Sequence, residues 1–505
     1  MTRTGFALVS MVMLFCASVT SAQVANLRVV TDASPDYHDM AGLVHSITSR
    51  WATPEEKCLA VFYWNRIARR QTNPMMLHGM EVTDPIRQFN DYGYTMCSTI
   101  SGINQSIWEH VGLPHRYWDI SNHTVAEVFY DGRWHMYDSS LSALYTLCDG
   151  KTLAGVEDIG KAGACAASAN KEEPGHVAKY HCLTATSPNG YLIGADTIRS
   201  LEEEYRCFNP NGLKLRTYYY DWYYGHRYIL NLRPGEVYTR HYHSLGDTPA
   251  FYVPNEGKDP EKLNARYRLR GNGVWTFKPD LTPKEYEMAI HSATNIACAP
   301  GGGLHAADAS APAEVVFKVQ SANVTTSQRL ALASTRKSAD DGIRLLVSTS
   351  NGLKWKEAWR AEQVGRHDAE VRLQEEVNGA YEVLLKFVID GGASLDRLEV
   401  ATTTHLNSKT QPRLNVGRNT VHVGAGDQTD SIILWPELQG RKYKDLIVEE
   451  RNVTSAREHP GYQGALHPSV AREDAWVVYR IDAPRELTKL TYGGRFFNRA
   501  PKSRI

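Results

Sequence analysis

A short hairpin near residue 130 constrains the fold more than any other feature of the sequence. Two strand-like runs flank Asp131-Gly132, which is a strong two-residue turn signal. Counting outward from this turn places Val125 opposite Asp138, so His123 and Asp138 are diagonal neighbours on one face of the sheet. Diagonal Cα atoms lie roughly 7–8 Å apart, which is within reach of a hydrogen bond between an imidazole and a carboxylate.

Cys97 precedes a segment with helical patterning. Apolar residues recur there at spacings of three and four: Ile100, Ile103, Ile107, Trp108 and Val111. Gly112 and Pro114 then predict the end of the helix. Cys97 should therefore lie at or near a helix N-terminus, where backbone N–H groups and the helix dipole favour a thiolate.

Cys97, His123 and Asp138 together provide an attacking sulfur, a base and a group that orients the base. Each has an ordinary alternative explanation: half of a disulfide, a surface histidine and a turn-forming aspartate. The shared sheet face and the helix start favour the catalytic interpretation. If the three side chains meet, they can carry out acyl transfer.

Residues 50–142 resemble the transglutaminase-like superfamily, a papain-related group of cysteine acyl-transferases and hydrolases. The similarity includes the helix opened by Thr53-Pro-Glu-Glu56, the nucleophile helix, the Val111–Arg116 passage, and the strand and turn that carry His123 and Asp138. This chain departs from the common pattern at Thr95, where the family often has Gly, and in the residues that follow His123 and Asp138. The resemblance implies an α+β fold with a transglutaminase-like, cysteine-protease-type core, and assigns Cys97 as nucleophile, His123 as base and Asp138 as orienter.

The expected function is that of a cysteine hydrolase or acyl-transferase acting on amide bonds of a protein or peptide, without a cofactor or metal. Resemblance favours hydrolysis over cross-linking. The Cys97 backbone N–H should help form the oxyanion hole, with Gln88, Asn90 or Tyr94 as a side-chain donor. Two alternatives remain open. One is a polysaccharide-binding or polysaccharide-cleaving protein, in which a tyrosine such as Tyr92, Tyr94 or Tyr137 assists His123. The other is a non-catalytic binding protein.

The sequence predicts five regions. They are a signal peptide (1–22), a catalytic core (23–142), a cysteine-bearing insertion with a β-rich extension (143–298), a Gly/Ala/Pro-rich linker (299–313) and a C-terminal β-sandwich-like region of one or two domains (314–505). The signal peptide predicts a secreted or periplasmic protein. No later segment is long and apolar enough to cross a membrane.

Cysteine counting supports a special role for Cys97. Seven cysteines remain after the signal peptide, so at least one is unpaired in an exported protein. If Cys97 is that residue, up to three disulfides can form among the others, and the favoured ones join the cysteines of the insertion: Cys148, Cys165, Cys182 and Cys207. Their spacing disfavours zinc, and His241 with His243 lacks an evident third ligand.

Charge and composition limit the partners. The chain has 56 basic and 56 acidic residues and no long basic stripe, which disfavours a nucleic-acid partner. It is rich in aromatic residues, with 27 Tyr and 11 Trp. The run at 217–224 could form a platform for a sugar or peptide, although an aromatic-rich sheet face is the favoured explanation. Polysaccharide contact is therefore a secondary expectation.

Overall fold

The computed structural model describes residues 23–71, 76–77, 80–120, 123–147, 149, 151–158, 177–181, 214–215, 225–246, 250–252, 268–427, 430–436, 438, 442–455 and 466–493. The predicted signal peptide, the four cysteines of the predicted insertion and the aromatic run at 217–224 lie outside these residues. Within them, the chain is mainly β.

The helices cluster in the N-terminal part. They are α1 (Met40–Thr48), α2 (Pro54–Ala68), α3 (Pro85–Arg87), α4 (Cys97–Val111) and α5 (Tyr286–Ala289), with a π-helical turn at Gln88–Tyr92 and a 3-10 turn at Lys442–Asp445. The capping box predicted for α2 is present, because Thr53 and Glu56 exchange side-chain and backbone hydrogen bonds. Gly112 ends α4 in the left-handed conformation, as its sequence position predicts. None of the described helices is both long and apolar enough to span a bilayer.

The strands of the N-terminal half are short. They are β1 (Arg28–Thr31), β2 (Arg70–Gln71), β3 (Met76–Leu77), β4 (Met80–Glu81), β5 (Tyr94–Thr95), β6 (His115–Ile120), β7 (His123–Tyr130), β8 (Arg133–Met136), β9 (Ala143–Leu147), β10 (Val177–His181) and β11 (Lys214–Leu215).

The later strands include the longest ones described, β20 and β25, and form most of the β structure. They are β12 (Glu236–Arg240), β13 (Ala250–Tyr252), β14 (Arg268–Arg270), β15 (Gly273–Phe277), β16 (Ser292–Thr294), β17 (Ile296–Cys298), β18 (Leu304–Ala306), β19 (Ala313–Gln320), β20 (Val324–Arg336), β21 (Gly342–Ser348), β22 (Lys356–Arg360), β23 (Gly365–Leu373), β24 (Glu382–Asp390), β25 (Ser394–His405), β26 (Val421–Gly424), β27 (Ile447–Arg451), β28 (Val453–Ser455), β29 (Leu466–Pro468) and β30 (Trp476–Tyr479).

A four-stranded antiparallel sheet, in the order β11-β6-β7-β8, carries the predicted hairpin. The register is as predicted: Tyr130 pairs with Arg133, and Phe129 pairs with Trp134. Helix α4 packs against this sheet, because Trp108 lies in one apolar cluster with Ala126 and Val128 of β7. Alternate strand residues thus face the helix, which places the helix start beside the beginning of β7.

Two antiparallel sheets form a β-sandwich in the later half. One has the order β12-β15-β25-β18-β17 with β20 and β23 added through β25, and the other has the order β16-β19-β24-β21-β22. Phe277, Leu332 and Val400 of the first sheet share a core with Phe317 and Phe387 of the second. A β-sandwich is therefore present in the later half, but its strands run from β12 to β25, so it begins well before the predicted limit at residue 314.

Residues 299–313 do not form the linker that their composition predicts. Strand β18 lies within this segment and pairs with both β17 and β25, and Leu304 is fully buried. Gly302 and Gly303 adopt positive φ angles in the turn between β17 and β18, where the Ala299 N–H donates to the Gly303 carbonyl. The glycines thus serve a hairpin inside the sandwich, which begins before residue 299.

Among the residues described, three cysteines are free thiols: Cys58, Cys97 and Cys298. The inference that Cys97 alone remains unpaired, with three disulfides among the others, is therefore wrong. Cys58 is buried in the apolar cluster of α2 and α4, where a thiol packs as a small hydrophobic group, and the thiol of Cys298 donates to the Leu281 carbonyl at 3.1 Å.

Candidate active site

Cys97 is the first residue of α4, as predicted, and its side chain is half-buried. The first N–H groups of a helix have no partner within the helix, and together with the helix dipole they favour a negative charge near its first residue. Burial by itself raises the pKa of the Cys97 thiol, but hydrogen bonds from His123 and Thr124 outweigh burial and lower this pKa overall. The local environment therefore favours the thiolate.

His123 and Asp138 meet as the hairpin register predicts. His123 Nε2 lies 2.8 Å from Asp138 Oδ2, and the two residues are only 7% and 1% exposed. Burial by itself lowers the pKa of His123, whereas the Asp138 charge and the hydrogen bonds to Asp138 and Cys97 raise this pKa to about 10. Because Nε2 faces Asp138, the second ring nitrogen is left for Cys97. The arrangement favours a thiolate paired with an imidazolium.

The backbone fixes the Asp138 carboxylate on its other side. Leu141 N donates to Asp138 Oδ1 at 2.9 Å, in the turn that follows β8. Each carboxylate oxygen thus has its own donor, so the carboxylate plane is held toward the imidazole. A group held this way can select the tautomer of His123 and stabilise its protonated form.

Arg69 is a buried cation behind the site that the sequence does not reveal. It follows α2, is fully buried, and donates to Thr95 Oγ1 at 2.9 Å, to Gln71 Oε1 at 2.7 Å and to the Ser139 carbonyl. Burial lowers the pKa of Arg69 to about 9, although the nearby Asp138 carboxylate favours the charged form. Arg69 thus connects the residues before Cys97 to the turn that carries Asp138.

A buried amide pair makes a second connection. Asn104 Nδ2 of α4 donates to Ser139 Oγ at 2.9 Å, and Asn65 Nδ2 of α2 donates to Asn104 Oδ1 at 2.8 Å. The helix that presents the sulfur is therefore tied directly to the residue after Asp138.

The sandwich holds the segment that leads to Cys97. Asn407, two residues after β25, donates through Nδ2 to the Ala68 carbonyl at 2.8 Å and to the Phe89 carbonyl at 3.0 Å. Gly93 ends the π-helical turn with φ +69°, and a Cβ there would lie within 2.7 Å of Asn407 Oδ1. The nucleophile segment and the sandwich therefore fit closely at this point.

A buried polar network reinforces this junction. Asp91 of the π-helical turn accepts hydrogen bonds from Asn323 Nδ2 at 2.9 Å, from Val324 N at 3.2 Å and from the Tyr381 hydroxyl. Arg87 Nε donates to the Tyr381 hydroxyl at 3.0 Å, and its guanidinium lies 4.1 Å from the ring centroid of Trp435. The sandwich thus contributes side chains to the packing around the nucleophile segment.

Two of the three side-chain donors proposed for the oxyanion hole, Asn90 and Gln88, donate elsewhere. Asn90 Nδ2 donates to the carbonyls of Tyr37 and Ile86, both at 2.8 Å. Gln88 Nε2 donates to the Tyr94 carbonyl, and the Tyr94 ring lies under the Arg70 guanidinium at 5.5 Å. The structure therefore selects none of them, and the Cys97 backbone N–H remains the expected donor.

The tyrosines considered for proton transfer with His123 lie in other contacts. The Tyr137 hydroxyl is 2.8 Å from the Tyr130 hydroxyl, in the apolar cluster with Phe62. Tyr92 packs with Val82 and Tyr381. These placements do not favour Tyr92 or Tyr137 as a proton-transfer partner of His123. Over the described ranges, no three potential metal-ligating side chains form a group, and His241 and His243 are exposed.

Comparison with known proteins adds distant similarities. No protein-family model and no curated protein matches the chain. Among solved structures, it is similar to TmCBM61 in complex with β-1,4-galactotriose, at 13% identity over 27% of this chain and 71% of that one, with a TM-score of 0.13. It is also similar to the GH26-CBM35 β-(1,4)-mannanase of Podospora anserina (12% identity, 26% of this chain, 28% of that chain, TM-score 0.17). A third similar structure is the C-terminal CBM6 of the laminarinase LamC from Zobellia galactanivorans, at 11% identity over 25% of this chain and 98% of that one, with a TM-score of 0.18. At these TM-scores the similarities do not establish a common fold.

Proposed function

We propose that this protein is a cysteine acyl-transfer enzyme with a transglutaminase-like core, acting on amide bonds of a protein or peptide. The observation that carries the proposal is the sequence of contacts from the Cys97 thiol to His123 and from His123 Nε2 to Asp138 Oδ2 at 2.8 Å. The placement of α4 against β7, with the cysteine at the helix start, supports the resemblance to that superfamily.

The reaction begins with attack by the Cys97 thiolate on the carbonyl carbon. The carbonyl π electrons move to oxygen, and the backbone N–H of Cys97 stabilises this oxyanion. As the tetrahedral intermediate collapses, the C–N bond breaks and the His123 imidazolium gives its proton to the leaving amine. Asp138 keeps the imidazole aligned throughout.

The thioester that remains can be resolved in two ways. Neutral His123 takes a proton from water, and the hydroxide equivalent attacks the carbonyl and releases a carboxylic acid and the thiolate. If an amine enters instead, a new amide forms and the protein acts as a transferase. We favour hydrolysis, on the resemblance given above. The proposal includes an exported location, because the N-terminal sequence has the pattern of a signal peptide.

The test is trapping of the acyl-enzyme. Wild-type protein is incubated with p-nitrophenyl acetate, digested and mapped by mass spectrometry. The proposal predicts rapid acetylation of Cys97 that hydroxylamine reverses, as expected of a thioester. Cys97→Ala and His123→Ala should lose this adduct, while Cys298, a free thiol remote from the site in sequence, serves as the internal control. Acetylation of Cys97 no faster than that of Cys298 would refute the proposal.

A further inference from the structure

Thr124 lies beside the candidate nucleophile, although no sequence pattern points to it. It is the second residue of β7, directly after His123. It has the parity of Ala126 and Val128, whose side chains pack against Trp108 of α4. The side chain of Thr124 therefore faces helix α4, near the end of the sheet where that helix begins.

Helix α4 also contacts the backbone of Thr124. Ser101 Oγ, one helical turn after Cys97, donates to the Thr124 carbonyl at 3.2 Å. This hydrogen bond holds the start of α4 against the beginning of β7, next to Cys97.

The hydroxyl of Thr124 has a single evident use. Its Oγ1 atom is enclosed by protein and has no hydrogen-bond partner among the residues described, while the Thr124 side chain helps to lower the pKa of the Cys97 thiol beside it. The Thr124 backbone N–H also helps to lower this pKa. A buried hydroxyl without a partner is costly, so a sulfur acceptor explains why a threonine is tolerated at this position.

We propose that the Thr124 hydroxyl is a further catalytic group, which donates a hydrogen bond to Cys97 Sγ and stabilises the sulfur as the thiolate. This inference rests on the function proposed above. The other ionisable groups near the sulfur are His123 from β7, Asp138 from the turn after β8, and Arg69, which lies behind Thr95. The first turn of α4 has no acidic residue. The imidazolium forms the ion pair, and Thr124 adds a neutral donor from the opposite side of β7.

The test compares Thr124→Val, which keeps the shape and loses the donor, with Thr124→Ser, which keeps the donor. Alkylation of Cys97 by iodoacetamide is followed against pH by peptide mapping, with Cys298 as the reference thiol. A hydrogen bond to a charged group is expected to change the thiolate fraction about tenfold. Thr124→Val should therefore react about tenfold more slowly at neutral pH and follow a profile moved to higher pH, whereas Thr124→Ser should match the wild type.

Two results would overturn the inference while leaving the proposed function intact. One is a Thr124→Val profile that superimposes on the wild type, and the other is an equal loss in both variants. If wild-type Cys97 reacts no faster than Cys298, the proposed function fails and this inference fails with it. Thermal unfolding of each variant shows whether the fold is kept.

Discussion

Replacing Gly93 by alanine should loosen the nucleophile segment, and the structure allows its cost to be divided into two parts. The first is the left-handed backbone at φ +69°, which costs about 1–2 kcal/mol for a residue with a Cβ. The second is the close contact with Asn407, since the new Cβ would lie within 2.7 Å of Oδ1. Asn407 cannot move away cheaply, because its amide donates to the carbonyls of Ala68 and Phe89.

The close contact with Asn407 adds about 2 kcal/mol to the cost of Gly93→Ala. Displacing Asn407 deprives the buried Ala68 carbonyl of its donor, which costs about 1–3 kcal/mol. The Phe89 carbonyl retains a second donor, Thr410 Oγ1 at 2.8 Å, so its loss is smaller. Gly93→Ala should thus destabilise the protein by about 3–4 kcal/mol in total.

Two controls separate these parts in urea unfolding measurements. Gly112→Ala introduces a Cβ at φ +81° with no neighbour within 4 Å, so it should show the backbone cost alone. In an Asn407→Ala background the contact is absent, so Gly93→Ala should cost about 2 kcal/mol less than in the wild type. Equal costs for the two glycine variants, or strict additivity of Gly93→Ala and Asn407→Ala, would refute the idea that the sandwich holds this segment in place.

Three further predictions concern the site itself. Asp138→Asn should reduce Cys97 acetylation more than tenfold with little loss of stability, because the new amide donates toward His123 Nε2 and favours the wrong tautomer; unchanged acetylation would exclude an orienting role. The acetylation rate should rise with pH at values below the ordinary thiol pKa of about 8.5, because the pKa of Cys97 is lowered; a profile that rises only above 8.5 would contradict the ion pair. Cleavage of an amide substrate should in addition slow near pH 10, as His123 loses the proton that the leaving amine needs. Arg69→Met should lower the free energy of unfolding by about 3–5 kcal/mol, since it leaves buried acceptors unpaired. The matched control Arg133→Met breaks a half-exposed ion pair with Asp158 at 2.9 Å, so its free energy of unfolding should stay within about 1 kcal/mol of the wild-type value. Similar losses in the two arginine variants would show that Arg69 is not a structural connection.

Local signals in the sequence predict the centre of the site well. The Asp131-Gly132 turn specifies its own register, and that register alone brings His123 to Asp138. Apolar spacing and Gly112 likewise give the limits of α4 and place Cys97 at its start. These features depend on residues close together in the chain, so turn chemistry and periodicity are enough to predict them.

Features that depend on distant residues could not be predicted in this way. Asn407 contacts the end of α2 and the π-helical turn from more than 300 positions away, and nothing in its own surroundings indicates this. Arg69 follows a helix, where an exposed cation is common, but here it is fully buried. The composition of residues 299–313 predicted a linker wrongly, because glycines that suit a flexible linker also suit a tight turn at positive φ.

The ionisation state of Cys97 tests the central claim most directly. Thiolate ultraviolet absorbance is recorded against pH for the wild type, with Cys97→Ala subtracted to remove the other thiols. A sulfur paired with the His123 imidazolium should already absorb as the thiolate at neutral pH, lose this signal on acidification, and lose it at neutral pH in His123→Ala. A difference signal that emerges only near pH 8.5, and does so equally in both proteins, would contradict the account.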